Sequence, residues 1–273
     1  MDSFNPDPKG MLVIIGGAED RDGDCHILRE FIRLAGGRRA RIVVLTAATS
    51  EPEEAGYTYI DLFEELGAAD VRVADTRDRR DANRIDAIRA IGRATGIFFT
   101  GGDQTRIVES IKGTILEDAI EKRYAEGIVI GGTSAGAAIM SESMIARGNS
   151  NTSPHSNTVT LERGMGFLRG VVLDQHFAER GRLGRLMAAL LLDQAVLGIG
   201  IDENTAIVVQ DGEFRVLGEG AVTVIDRSAS THNNLGQLQR NQPMTVFGVK
   251  LHILAEGYRF DLRSYQPITV QAV

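Results

Sequence analysis

The chain has 273 residues with a formal net charge of −7 and a pI near 5.3, and 43% of its residues are apolar, enough to build a sizeable core unaided. That acidic balance lacks the electrostatic footprint of a general nucleic-acid binder, so no nucleic acid is expected as a partner. A single cysteine, Cys25, excludes an internal disulfide, and no Cys/His group has zinc-ligand spacing, so no metal is expected.

The N-terminal stretch MDSFNPDPKG lacks a basic segment leading into an apolar one, and no apolar run approaches the roughly 18 residues needed to span a bilayer. The expectation is a cytoplasmic protein without a membrane partner. From Met11 onward one phrase repeats: a short β-branched apolar run, a Gly- or Asp-rich turn, then an amphipathic stretch. MLVIIGG, RIVVLTAA, VRVAD, GIFFTGG and GIVIGG read as five strands without polar alternation, which implies burial on both faces. Between them CHILREFIRLAG, EEAGYTYIDLFEELG, RIDAIRAIGRA and QTRIVESIKGTILEDAIEKRYAEG carry helical spacing, as in Ile27, Phe31 and Leu34. A helix-like run, AAIMSESMIA, follows the fifth strand. GVVLDQHF, a helix near RLGRLMAALLLDQA and LGIGIDEN continue the alternation, after which AIVVQDGEFRVLGEGAVTVID reads as antiparallel strands closing one edge. The tail from Gln239 to Pro267 reads as further strands. With no linker or repeat, residues 1–273 read as one α/β domain, a three-layer, doubly wound, mostly parallel sheet with antiparallel edge strands.

Ligands of an open parallel sheet sit at the carboxyl ends of its strands. That rule singles out Gly101, Gly102, Asp103 and Gln104 after GIFFT, Ser134 after GIVIGGT, Asp174, Gln175 and His176 after GVVL, and Asp202 and Glu203 after LGIGI. Gly132-Thr133-Ser134-Ala135-Gly136 spells G-x-S-x-G between strand and helix, a turn that raises a serine above a sheet while the N–H of Ala135 faces an oxyanion. A serine hydroxyl needs a base, and the base needs an acid to orient it. His176 and Glu203 are the candidates, in the chain order Ser, His, Glu, whereas an α/β-hydrolase runs Ser, acid, His.

Plainer readings stand beside each of these. GGTSAG lacks the P-loop lysine and is not G-x-G-x-x-G, which weakens a phosphate cradle. Gly16 and Gly17 read first as a tight turn that lets a helix pack, and only second as lining of the site. His26, His155, His232 and His252 fall on a helix, loops or late strands and read as surface or packing residues. Glu203 also fits an ordinary turn acid. Arg180, Arg182 and Arg185 would ordinarily solvate a helix start, yet beside a nucleophile guanidiniums can read carboxylates bidentately.

The segments IIGGAEDR, FFTGGDQTR, GGTSAGAAIMS, LDQHFAERGRLGRL and GIDENTA, in that order and over approximately residues 10–210, resemble the cyanophycinases, in the peptidase E-like group of serine hydrolases. The resemblance implies a fold like that of class I glutamine amidotransferases, no cofactor, and typically a homodimer. It implies hydrolysis of cyanophycin, a poly-aspartate whose side-chain carboxyls carry arginine, to β-aspartyl-arginine dipeptides. By motif match Ser134 is then the nucleophile, His176 the base and later acid, and Glu203 its orienting partner. Gly102 and Ala135 are expected to supply the oxyanion N–H groups, and Asp103, Gln104, Asp174, Gln175, Arg180, Arg182 and Arg185 to shape the substrate pocket. Three other readings remain open: a dipeptidase cutting aspartyl or isoaspartyl dipeptides, a silent binding protein on the same fold, and a nucleotide-binding oxidoreductase.

Overall fold

The five apolar runs form parallel strands in the computed structural model, which describes residues 10–269. They are Met11–Ile15, Arg41–Leu45, Asp70–Ala74, Gly96–Phe99 and Val129–Thr133, and they lie side by side in the order third, second, fourth, fifth, first. Period-two alternation sends Leu12 and Ile14 to one face and Val13 and Ile15 to the other, and both faces are apolar because both are covered. Helices His26–Leu34 and Pro52–Glu65 cover one face, where Phe31, Tyr59, Phe63 and Phe98 pack ring against ring with centroids 4.9–5.6 Å apart. Helices Ile85–Arg93, Gln104–Ile111 and Ile115–Ala125 cover the other through Ile91, Ile107, Leu116 and Ile120.

Beyond Met11–Ile15 the sheet continues antiparallel through Thr205–Gln210, Glu213–Gly218, Arg259–Asp261 and Gln266–Ile268, giving nine strands with a parallel centre and an antiparallel flank. This is the expected class, a mostly parallel doubly wound sheet of the class I glutamine amidotransferase type. Three elements differ from the sequence reading. First, Val171–Asp174 and Leu197–Ile201 pair with each other, and with Val222–Asp226 and Lys250–Leu254, in a separate four-stranded sheet. One face of this sheet joins the main core through Leu173, Ile199, Ile201 and Val224, and the other holds helix Leu183–Leu192 through Val172, Ile225, Leu186 and Leu190. Second, the long helix expected over 104–127 is two helices, because Gly113 at φ 70° breaks it and Thr114 caps the next, its hydroxyl accepting from the Glu117 N–H. Third, the helix after Ser134 ends at Ala138, and SMIA opens strand Ser143–Gly148, paired with Val159–Arg163. The Ser141 hydroxyl lies 3.2 Å from the Ala138 carbonyl and 2.7 Å from that of Ser143, serving backbone groups the helix would otherwise have used. Among the described residues no helix is long and apolar enough to cross a membrane.

Candidate active site

Parallel register aligns the ends of the central strands: Ile15 lies opposite Thr133 and Phe99 opposite Gly132. The chain therefore leaves the sheet at one level, and Ser134 takes φ 51°, ψ −106°, outside the regions an L-residue favours, as a nucleophile elbow requires. The flanking glycines are dictated by contact. A Cβ on Gly132 would lie 2.5 Å from the Gly136 carbonyl oxygen, and one on Gly136 would lie 2.3 Å from that of Phe99. Only hydrogen at both positions lets the turn close on the neighbouring strand.

His176 follows strand Val171–Asp174 with φ 46°, and its Nε2 is 2.9 Å from Ser134 Oγ. Its Nδ1 is 2.5 Å from Glu203 Oε1, beyond the end of strand Leu197–Ile201. Three residues on two sheets thus form one hydrogen-bonded chain. The His176 side chain is 10% exposed and that of Glu203 34%. Burial, the largest influence, lowers the His176 pKa below its ordinary value, helped by the positive charge of Arg180, while the hydrogen bond to Glu203 opposes the shift. The imidazole is therefore neutral at pH 7 and able to accept a proton. None of the other four histidines bonds to this chain: His26 meets Glu256, His155 meets the Ser153 carbonyl, His232 packs on Phe247 and His252 on Phe260.

Ala135 opens the short helix, where the first N–H groups have no intrahelical acceptor. Gly101 runs beside Ser134, and Gly102, at φ 140°, is exposed next to it with the Ala48 carbonyl at its back. Asp103 caps helix Gln104–Ile111, accepting from the Thr105 N–H at 2.9 Å and its hydroxyl at 2.6 Å. Desolvation raises its pKa, but those bonds and the charges of Arg147 and Arg106 together bring it below the ordinary carboxyl value. Gln104 donates to the carbonyls of Ile145 and Ala146, both at 2.8 Å, pinning strand Ser143–Gly148 beside the site.

The arginines divide. Arg180 is exposed, whereas Arg182 and Arg185 are each 6% exposed and turned inward. Arg185 grips the 1% exposed Asp174 with Nε at 2.9 Å and Nη2 at 2.6 Å, a bidentate fork. Arg182 donates to the backbone and side-chain oxygens of Gln175 and lies 3.4 Å from Asp174. Its burial lowers the guanidinium pKa to about 10, still protonated at neutral pH. Asp174, Gln175, Arg182 and Arg185 thus satisfy one another, and Arg180 alone of the three cations presents an open charge.

Two residues that the sequence reading left out of the site proper belong next to it. A Cβ on Gly17, at φ 105°, would lie 2.3 Å from the His176 ring, and Asn204, also at positive φ, donates its N–H to the Gly17 carbonyl at 2.9 Å. The signal was the Gly-Gly pair ending the first strand, which the tight-turn reading absorbed. Among the described residues no group of three or more His, Cys, Asp or Glu is arranged to hold a metal ion.

A G-x-S-x-G turn and a hydrogen-bonded Ser-His-Glu chain at the end of a parallel sheet are the arrangement that a serine hydrolase would use. Residues 12–217 match Peptidase family S51, and the chain belongs to that family: it is a peptidase, a hydrolase. It is 40% identical over 260 residues to a cyanophycinase of Synechococcus elongatus, covering 94% of this chain and 81% of that protein. It is 39% identical over 262 residues to one from Geminocystis herdmanii, covering 95% and 96%. With one from Trichormus variabilis the figures are 40% over 267 residues, 97% and 89%. Among solved structures, a peptidase from an acI-B1 Actinobacterium aligns with TM-score 0.65 at 21% identity, covering 92% of this chain and 96% of that one. A putative peptidase E from Listeria monocytogenes aligns with TM-score 0.55 at 16% identity, covering 77% and 99%. At those identities the structures speak for the fold.

Proposed function

We propose that this peptidase hydrolyses cyanophycin, releasing β-aspartyl-arginine dipeptides through an acyl-enzyme formed on Ser134. The observation that carries the reading is the chain from Ser134 through His176 to Glu203, at 2.9 Å and 2.5 Å, raised on a strand-to-helix elbow. The similarity to cyanophycinases supplies the substrate.

Ser134 Oγ attacks the scissile carbonyl of the aspartyl backbone as His176 Nε2 takes its proton. Glu203, held to Nδ1, fixes the tautomer that leaves Nε2 free to accept and stabilises the imidazolium that forms. The oxyanion faces the N–H groups of Ala135 and Gly102, and losing one such donor typically costs on the order of 10²–10³ in kcat. His176 then gives its proton to the departing amine, and water, deprotonated by the same imidazole, releases the acyl half and restores Ser134. Arg180 is the cation open to a substrate carboxylate. Asp103 and Gln104 shape one wall, and the mutually bonded Asp174, Gln175, Arg182 and Arg185 hold the loop that carries His176 and Arg180.

The test is to incubate the protein and its Ser134→Ala variant with insoluble cyanophycin and to follow soluble β-aspartyl-arginine by mass spectrometry. The expected outcome is release by the native chain and a loss of about 10⁴-fold or more in the variant, its circular dichroism unchanged. Undiminished turnover in Ser134→Ala would remove the nucleophile. No release by either protein would redirect the reading to isoaspartyl dipeptides, assayed the same way.

A further inference from the structure

One turn, Gly16 to Arg21, bonds His176 directly and the chain neighbours of Ser134 and Glu203, Thr133 and Asn204. Just before it, the Ile15 carbonyl accepts the N–H of Ser134 at 3.1 Å. The Gly16 carbonyl accepts the N–H of His176 at 2.8 Å. The Gly17 carbonyl accepts that of Asn204, the neighbour of Glu203, and the Asn204 side chain in turn accepts the Asp20 N–H at 2.9 Å. In the middle of the turn stands Glu19, its carboxylate fully buried. Oε2 accepts from the Thr133 hydroxyl at 2.5 Å, and Thr133 is the residue immediately before the nucleophile. Oε1 accepts from the Tyr59 hydroxyl at 2.6 Å and from Arg21 at 2.7 Å and 3.0 Å, the Arg21 guanidinium lying 4.9 Å from the Tyr59 ring centre.

An anion removed from water is costly unless charge and donors surround it, and an apolar side chain of similar size would pack there without that requirement. Four donor contacts and one cation therefore serve a carboxylate that packing alone does not need. What the site does need is a fixed elbow: Ser134 occupies a backbone region that persists only when its surroundings over-determine it. A hydrogen bond from buried Thr133 to a carboxylate that Tyr59 and Arg21 hold fast supplies that constraint, one residue from the reacting oxygen.

We propose that Glu19 is a positioning residue, which through Thr133 sets the orientation of Ser134 and through its own turn sets the elbow against His176 and Glu203. The inference rests on Ser134 being the nucleophile, as in the proposed function. Its test compares Thr133→Val, which keeps the shape and removes the hydroxyl, Thr133→Ser, which restores it, and Glu19→Gln. Three quantities are read: kcat and KM on cyanophycin, the rate at which phenylmethylsulfonyl fluoride labels Ser134, and Tm.

Thr133→Val is expected to lower kcat by about 10- to 100-fold with KM within about twofold, and to slow labelling by a similar factor. Thr133→Ser is expected to stay within about threefold of the native chain, and Glu19→Gln to fall between them. A folded Thr133→Val variant with native kcat and native labelling overturns the proposal, as does a defect carried wholly by KM. Should Thr133→Val fail to fold, the same criteria apply to Glu19→Gln. If the native chain leaves cyanophycin intact yet is labelled at Ser134, the substrate reading fails while slowed labelling in Thr133→Val still upholds the role of Glu19. A native chain that is not labelled at Ser134 overturns both.

Discussion

On the proposed mechanism His176 is the base; burial and Arg180 lower its proton affinity, and the hydrogen bond to Glu203 only partly offsets them. The sign of the pH response follows. The imidazole protonates only below its ordinary value of 6.5, so the acid limb of kcat/KM is expected below that pH. Arg180→Gln removes a charge that disfavours the imidazolium, so the His176 pKa rises and the acid limb moves to higher pH. A pH–rate profile of the two proteins checks this, and a limb unmoved or shifted to lower pH would contradict it. In stability the unfolded chain binds the His176 proton first as pH falls. The contribution is thus complete above about pH 6.5 and declines as pH drops towards the folded value.

The loop from Asp174 to Gly181 owes its shape to a buried ion pair. Asp174 on the second sheet neutralises Arg182 and Arg185 at the start of helix Leu183–Leu192. Asp174→Ala leaves two buried guanidiniums without a counter-charge, which typically costs about 3–5 kcal/mol, or roughly 10 °C in Tm for a chain of this size. Calorimetry of the variant measures it, and a change of a degree or two would show that water replaces the carboxylate. What the sequence could give here was position: Ser134, His176 and Glu203 each follow an apolar strand, and the carboxyl end of a strand is readable from hydrophobicity alone. Distance was not readable. Three arginines in six positions look the same whether they face solvent or one aspartate, because that aspartate enters from a different element. The helix break at Gly113 and the early stop at Ala138 were hidden likewise: a glycine within apolar periodicity and a serine that bonds backwards leave the helical spacing intact on either side.

At the scale of the molecule the two sheets share one apolar body: Leu12, Ile14 and Ile130 of the large sheet lie in the same buried cluster as Leu173, Ile199, Ile201 and Val224 of the small one. Neither sheet can shed its partner without exposing that surface, so activity and secondary structure are expected to vanish together in a urea titration, with superimposable midpoints by dipeptide release and by far-ultraviolet circular dichroism. Loss of turnover well before loss of ellipticity would mean that the sheets part first. Ser134 rides on the large sheet and His176 and Glu203 on the small one. Between the two contributions runs the polar stretch of residues 149–158, exposed at Asn149, Asn151, Ser153 and Asn157. On the proposed mechanism the chemistry is therefore a property of neither half. Severed in that stretch, the chain would yield a serine without a base and a base without a serine, and only their re-association across the seam would turn a bystander hydroxyl back into a nucleophile, a coincidence detector written into the order of the strands.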